Sequence, residues 1–378
     1  MTLLNSLHRV HLVRWNLKLA FFATATIFIH LLIYSSFGQN AALIGTLRTK
    51  LLNGEPNTGR GHNTHSTYQV GNDNFIQVAL RSMFRDSLPI TAERFVSPTG
   101  KVYSLKEQPR FTESLGNDLL ILDVETRPLH GNGQILNGRP LNLDDATFDT
   151  MSRLDHYMYA RTHGYDYKLV KAHEIDLKGS YTKVPAMQKL LRDYKFVVFL
   201  DGDTLFPYPH IPFEWLMNLW GVTDETLIAM PEDVNEAWSY DSRGGLILNS
   251  GFIVVQQSAR THELLDAWAT CPQETRYNGC AKYKDDWPKE QYTFSNWVRY
   301  DFNRSDEVIA IPCTHAMGYP GATHGGDICH GELMTHYTTA KGETSAAVQR
   351  SIMQYIIREV HQQFHQEYDK VVVDEVEG

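Results

Sequence analysis

Concentrated positive charge is missing from this 378-residue chain: 35 Lys and Arg stand against 44 Asp and Glu, a formal net charge of -9, with both signs mixed along most of the sequence. Nucleic-acid binding needs a basic face to neutralise phosphates, so DNA and RNA are excluded as partners. Cysteine is scarce as well. The four present, Cys271, Cys280, Cys313 and Cys329, all fall in the carboxy-terminal half, and their spacing does not suggest zinc. In an oxidising space they can close two short loops, or some can stand as buried free thiols, and sequence alone does not fix the pairing. No internal repeat is visible, so the chain is not a repeat array. Long uncharged apolar runs are limited to one, near the amino terminus.

What is present describes a folded protein. A hydrophobic share of 42% and an aromatic share of 11% are those of a globular chain with a substantial core. The length fits one large α/β domain with appendages. The apolar run, Leu19 to Phe37, carries no formal charge and reaches across a bilayer as a helix. Arg9, Arg14 and Lys18 precede it, and the next basic residues, Arg48 and Lys50, lie well beyond, which places the amino terminus in the cytosol and the bulk in a lumen. A cleaved signal peptide with a Ser36-x-Gly38 site is the competing reading; the length of the run favours a retained anchor. The tripeptide Asn303-Arg304-Ser305 is an N-glycosylation acceptor if it is exposed in such a lumen.

The expected organisation is a cytosolic tail at 1–18, a single-pass anchor at 19–37, a stem and N-terminal extension at 38–116, and the main folded domain at 117–378. Residues 39–74 are rich in Asn, Gly, Thr, His and Ser and lack the apolar area that offsets ordering entropy. Residues 75–116 include Phe75, Ile76, Val78, Leu80 and Phe84, which suit an extension packed on that domain.

From Asp118 the pattern is regular. Leu119 to Leu122 reads as a strand ending at Asp123, followed by a helix from about Asp144 to His163 that Gly164 stops. A strand at Tyr167 to Val170 comes next. A helix carrying Val184, Met187, Leu190, Leu191 and Tyr194 then leads to the strand Phe196 to Leu200. Strands alternating with helices predict a mostly parallel, Rossmann-like sheet with flanking helices, with ligands at the strand carboxyl ends and Asp123 and Asp201 on one rim. Beyond Pro207, Pro209 and Pro212, a short helix is expected at Phe213 to Leu219, and strands at Leu227 to Met230, Gly245 to Leu248 and on through Asn249 to Val255. Apolar residues at helical spacing between Ala346 and Tyr368, namely Val348, Ile352, Tyr355, Ile356 and Phe364, predict a helix docked on the core.

The strand at Phe196 delivers Asp201 and Asp203 across a single glycine. Two carboxylates at the end of a buried strand suit a hard divalent cation whose remaining shell goes to water and phosphate. A simple polar turn fits the same residues. So does the start of an aspartyl-nucleophile phosphatase, in which one carboxylate attacks phosphorus.

Several segments, taken in order over residues 117–340, carry more. They are Tyr159-Ala-Arg-Thr-His-Gly-Tyr165, Lys183 with Lys189, Asp201-Gly-Asp203, Pro231-Glu-Asp233, Asn249-Ser-Gly251, Glu290-Gln291, Gly326-Asp327 and His336-Tyr337. Together they resemble the fungal Golgi galactosyltransferase and mannosyltransferase family, glycosyltransferase family 34, which has the GT-A fold. The chain departs from that family's pattern at Leu200 and Gly202, which leaves the donor open. The resemblance implies a type II Golgi membrane enzyme with its catalytic domain in the lumen. It would use Mn2+ or Mg2+ and transfer galactose or mannose, with retention, from UDP-galactose or GDP-mannose to glycans on glycoproteins or wall polysaccharide, alone or within a transferase complex. A non-catalytic accessory subunit of such a complex is the alternative that keeps the same pocket.

The roles implied by the resemblance fall on named residues. Asp203 would ligate the metal, Asp201 would act through water or on donor hydroxyls, and His336 would complete the metal shell. Lys341 and Lys183 would neutralise the diphosphate. Asp123, Asp233, Asn249, Ser250 and Gly251 would meet the donor, with Gln291 or Glu290 beneath the reacting carbon. Asp286, Trp287 and Tyr292 would form the acceptor platform. Each has an ordinary counterpart: a surface histidine, solvated lysines, a bend at Asn249 to Gly251, a loop carboxylate, or helix packing by Trp287 and Trp297.

Overall fold

A computed structural model describes residues 80, 83–84, 87–173, 179–286, 288–320 and 329–371. They belong to one unit, Val70–Gly378. The expected anchor at Leu19 to Phe37, most of the expected stem, Trp287 and Gly326-Asp327 lie outside the described residues. Among the described residues no helix is long and apolar enough to cross a membrane.

The chain first makes a hairpin, β1 (Arg94–Val96) and β2 (Val102–Ser104). It then enters β3 (Leu119–Glu125), α1 (Phe148–His163), β4 (Asp166–Lys171), α2 (Lys183–Leu190), β5 (Phe196–Leu200) and β6 (Thr204–Leu205). There follow α3 (Phe213–Trp220), β7 (Ile228–Pro231), β8 (Phe252–Gln256) and α4 (Ala259–Ala269). After these, α5 (Lys289–Thr293) runs through a π-helical turn at Phe294–Val298. Next come β9 (Val308–Ile311), β10 (Thr335–His336) and α6 (Thr344–Gln366), and a single helical turn at Tyr368–Val371 closes the described residues. Six strands form the main sheet in the order β4-β3-β5-β8-β7-β9, and β8 alone runs antiparallel to its neighbours. The expected α/β class with a mostly parallel sheet is what the chain adopts.

The sheet is apolar on both faces. Leu119, Ile121, Phe196, Val198 and Leu200 join the cluster built by α1 and α3, including Tyr159, Phe213 and Trp215. Leu120, Leu122, Val197 and Phe199 join the opposite cluster, with Val184 and Met187 of α2 and Leu264, Leu265 and Trp268 of α4. Alternate residues point to opposite faces of a strand. Continuous apolar runs therefore mark inner strands covered twice, each large side chain contributing about 1.5–3 kcal/mol. Phe95 and Tyr103 of the hairpin belong to the first cluster, and Leu80 and Phe84 pack on Tyr355 of α6.

Local signals explain some element ends. Gly164 ends α1 in the left-handed region at φ 79, a conformation that glycine adopts without a Cβ penalty. Ser258 caps α4 by accepting the Thr261 N–H. Four expectations need correction. Helix α1 starts at Phe148, because residues 142–146 turn on the Asn142 carbonyl. Tyr194 stands beyond α2, its hydroxyl on Asp166 at 2.8 Å. Gly245 to Leu248 is not a strand but a pair of isolated bridges, Tyr240 with Leu246 and Glu232 with Leu248. Side chains take the backbone groups a ladder would use: Asp241 accepts the Gly245 N–H, Ser295 the Leu248 N–H, and Arg299 donates to the Leu246 carbonyl. Helix α6 docks through Val348 and Tyr355, whereas Ile356 and Phe364 are exposed by 39% and 49% and face away from the core.

Candidate active site

Strand β5 ends at Leu200, and the next residues turn. The Asp201 N–H reaches the Gly251 carbonyl at 2.8 Å, and the Thr204 N–H reaches the Asp201 carbonyl at 3.0 Å. The chain then forms β6, whose antiparallel partner is β10, with His336 opposite Thr204. This two-residue ladder carries His336 to Asp203 across 133 positions, Nε2 to Oδ1 at 3.1 Å. One ligand atom from each of Asp201, Asp203 and His336 lies within 4.8 Å of the others.

The His336 ring lies against Gly251, where a Cβ would overlap it. Its Nδ1 is buried with no hydrogen-bond partner. Two carboxylates and an imidazole with an unused buried nitrogen suit Mn2+, which accepts oxygen and imidazole ligands. The residues fit the implied cation.

Charge compensation is built around the triad. Lys341 pairs with Asp203 Oδ2. Burial would raise the Asp203 carboxyl, but His336 and Lys341 outweigh it and hold it well below the usual carboxylate range. Burial pulls the His336 imidazole down, while Asp203 and Asp201 push it further up, so it keeps its proton above the ordinary value.

Lys183, 3% exposed, sends its ammonium to Asp201 Oδ1 at 3.0 Å, the Ser250 carbonyl at 3.0 Å and Glu290 Oε1 at 3.2 Å. Burial lowers its pKa, but the two carboxylates win and the net direction is upward. Its donors are committed inside the protein, so it braces the Asp201 carboxylate. Glu290 also accepts from the hydroxyls of Ser250, at 2.7 Å, and Ser180. Gln291 bridges Asp233 Oδ2, at 2.7 Å from its Nε2, and the Ser250 N–H, at 3.1 Å from its Oε1. Burial raises the Asp233 carboxyl despite the donors from Val234, Asn249 and Gln291.

Two cavities meet at the acidic pair. The first, about 320 Å³, runs from Asp201 and Asp203 past Lys341 to Thr126 and Arg127 at the end of β3. The second, about 470 Å³, runs from the same pair and His336 past Asn249 and Gln291 to Trp238 and Tyr319. Sizes of several hundred cubic ångströms are those of small-molecule sites.

Of the residues expected at the site, Asp201, Asp203, Asp233, Asn249, Ser250, Gly251, Glu290, Gln291, His336 and Lys341 gather around the second cavity, and Lys183 lines the first. Asp123 lines neither cavity. It is buried beneath the site, where His156 Nδ1 meets its carboxylate at 3.1 Å and the Tyr167 hydroxyl donates to it at 2.7 Å. Asp286, which is exposed, and Tyr292, whose ring lies on Tyr283, also line neither cavity. Asn303 is exposed. Cys271 is joined to Cys280 and Cys313 to Cys329, each pair with Cα atoms 5.5 Å apart.

The support beneath the acidic pair comes from residues that sequence reasoning passed over. On α1, Arg153 is 1% exposed and pairs with Asp149 Oδ2 at 2.6 Å and Glu125 Oε2 at 2.5 Å. Its guanidinium lies 3.3 Å from where a Gly202 Cβ would stand, a tight approach that explains the small residue between the two carboxylates. One turn further on, His156 joins Asp123 to the Thr204 carbonyl, the latter at 2.7 Å from Nε2. The signal was readable: Asp149, Arg153 and His156 recur at helical spacing on one face of α1.

Two carboxylates and an imidazole, gathered beyond the carboxyl end of an inner strand and set between two cavities, form a group that could hold a divalent cation, as in the class of proteins that handle phosphate-bearing substrates. The sequence comparison narrows this class. The chain belongs to the galactosyl transferase GMA12/MNN10 family, whose model matches residues 137–367, more than half of its length. Among curated proteins, "Probable glycosyltransferase 3" of Oryza sativa subsp. indica and its counterpart in subsp. japonica are each 27% identical over 157 residues. Those matches cover 38% of this chain and 32% of the rice proteins, so the chain spans about a third of these relatives' length. Among solved structures, a glycosyltransferase involved in glycosylating the major capsid of PBCV-1 aligns at 14% identity and a TM-score of 0.42, covering 61% of this chain and 98% of that one. Mouse xyloside xylosyltransferase 1, in its apo form, aligns at 12% identity and a TM-score of 0.32, covering 58% and 97%.

Proposed function

We propose that this chain is a divalent-cation-dependent hexosyltransferase of the GT-A type. It transfers galactose or mannose from UDP-galactose or GDP-mannose to a glycan acceptor on glycoproteins or wall polysaccharide, with retention of configuration. The observation that carries this is the Asp201, Asp203 and His336 cluster, its ligand atoms within 4.8 Å, at the junction of two cavities in a member of this family.

In this reading the nucleotide diphosphate lies in the first cavity and the two sugars meet in the second. Asp201, Asp203 and His336 would hold Mn2+, which when bound would supply Lewis-acid stabilisation of the diphosphate leaving group. Lys341 lines both cavities beside Asp203 and places a positive charge where the leaving phosphate gathers negative charge. Lys183 fixes the Asp201 carboxylate from below. Gln291, held at both ends of its amide, stays in place at the second cavity, while the leaving phosphate takes the proton of the attacking hydroxyl. The chain is anchored by residues 19–37 and works in the Golgi lumen.

The test is a donor screen of the full chain with UDP-galactose, GDP-mannose and UDP-glucose plus Mn2+. Transfer to a sugar acceptor, lost in chelator and in Asp203→Asn, is the expected result. Release of inorganic phosphate without transfer would replace this reading with the phosphatase, and an inverted product by NMR would remove the retaining mechanism.

A further inference from the structure

The lining of the second cavity combines two chemistries. Part of it is polar, where Asn249 and Gln291 both donate to Asp233 Oδ2. The lining also carries Trp238, which is 55% exposed, and Tyr319. Among the described residues Trp215, Trp220 and Trp268 are buried and Trp297 is half-buried. A half-exposed indole on the wall of a cavity offers an apolar aromatic face to whatever occupies that cavity.

Its position is not that of a loose loop tip. The Ser239 N–H meets the Glu236 carbonyl at 2.9 Å, the Ile247 N–H meets the Ser239 carbonyl at 2.8 Å, and Tyr240 bridges Leu246. The Asp233 N–H reaches the Ile247 carbonyl at 2.9 Å, and the Tyr240 hydroxyl reaches Asn235 at 2.6 Å. The backbone on both sides of the indole is thus tied down, which lowers the ordering cost of a contact made there. A pyranose has an apolar face of C–H bonds and a rim of hydroxyls. An aromatic ring beside polar groups is its complement.

Resting on the transferase reading above, we infer that Trp238 is the acceptor platform of this site, stacking on the pyranose that receives the transferred sugar. Of the expected platform, Asp286 and Tyr292 line neither cavity and Trp287 lies outside the described residues. The donor end of the site does not depend on Trp238.

The experiment compares wild type, Trp238→Ala and Trp238→Phe in the full chain. Mannotriose, galactobiose and cellotetraose serve as probe acceptors, and calorimetry of the nucleotide sugar with Mn2+ reports donor binding. In Trp238→Ala the KM for the preferred probe rises at least about tenfold, equivalent to about 1.4 kcal/mol, while the donor dissociation constant stays within about twofold. Trp238→Phe recovers most of the loss, because a smaller aromatic face still stacks. An acceptor KM within about twofold of wild type in Trp238→Ala would overturn the inference. So would a donor constant that weakens in step with the acceptor, because the residue would then be shaping the whole site. Failure of the wild type to bind any of the nucleotide sugars would instead bring down the transferase reading, and this inference with it.

Discussion

Replacing Lys183 by methionine tests whether this lysine braces the acidic pair or contacts the donor. Methionine keeps the length and much of the volume but removes the ammonium. What remains is the Glu290 carboxylate, whose side chain is 4% exposed, with only the hydroxyls of Ser180 and Ser250 as donors. Asp201, whose side chain is 36% exposed, can turn to water, so most of the cost falls on Glu290. Breaking a buried pair from one side costs about 3–5 kcal/mol. Neutralising the stranded partner in Lys183→Met/Glu290→Gln should return part of it, with a coupling of about 1–3 kcal/mol. Because the Lys183 pKa is raised above its ordinary 10.5, its contribution is fully present below that value and fades only at higher pH. The deficit of the variant should therefore be constant from about pH 6 to 9. Urea unfolding monitored by tryptophan fluorescence gives these numbers. A loss under about 1 kcal/mol, or one unchanged in the Glu290→Gln background, would refute the bracing role. A weakened donor affinity with normal stability would restore the direct phosphate contact.

Three further outcomes follow from the same geometry. Asp155 is buried and its carboxyl is pushed up to about 7 by desolvation, so between about pH 4 and 7 the folded chain holds a proton the unfolded chain has lost. Stability should fall as pH rises through that window, by up to about 1.4 kcal/mol per unit. Asp155→Asn, whose amide oxygen still accepts the Phe206 N–H, should remove that slope in urea titrations; an equal slope in both proteins would contradict it. Gly251→Ala forces a methyl into the His336 ring, so it should weaken Mn2+ binding at least about tenfold while circular dichroism stays native, and unchanged binding would show the ring is free to move. His156→Leu deletes the link between Asp123 and the Thr204 carbonyl and leaves the buried Asp123 carboxylate with the Tyr167 hydroxyl as donor, costing about 3–5 kcal/mol in thermal or urea unfolding; a loss near zero would mean this network is not holding β6.

The inner strands were legible because Leu119 to Leu122 and Phe196 to Leu200 are apolar on both faces, a pattern only a doubly covered sheet requires. Gly164 marked the end of α1 for a reason of backbone geometry that needs no neighbours. Asp201 and Asp203 were legible as a pair because both follow one strand. His336 was reachable only through family resemblance, since a ladder of two residues spanning 133 positions leaves no local trace. The reading failed where side chains decide the backbone: Gly245 to Leu248 looks like a strand, but Asp241, Ser295 and Arg299 consume its hydrogen-bonding groups. Asp123 stands beside Leu200 on the expected rim but lines neither cavity, because its carboxylate is turned to His156 of α1, whose polar spacing with Asp149 and Arg153 is the signal for that contact.

The central claim is that Asp201, Asp203 and His336 form one divalent-cation site serving a nucleotide diphosphate. Electron paramagnetic resonance of Mn2+ titrated into the full chain tests it without any assumption about acceptor. The account predicts a single tight Mn2+ site in the wild type, strengthened by UDP or GDP, and weakened at least about a hundredfold in both Asp203→Asn and His336→Gln in chains that remain folded. Mn2+ affinity that is the same in all three proteins, or indifferent to both nucleotides, would contradict it.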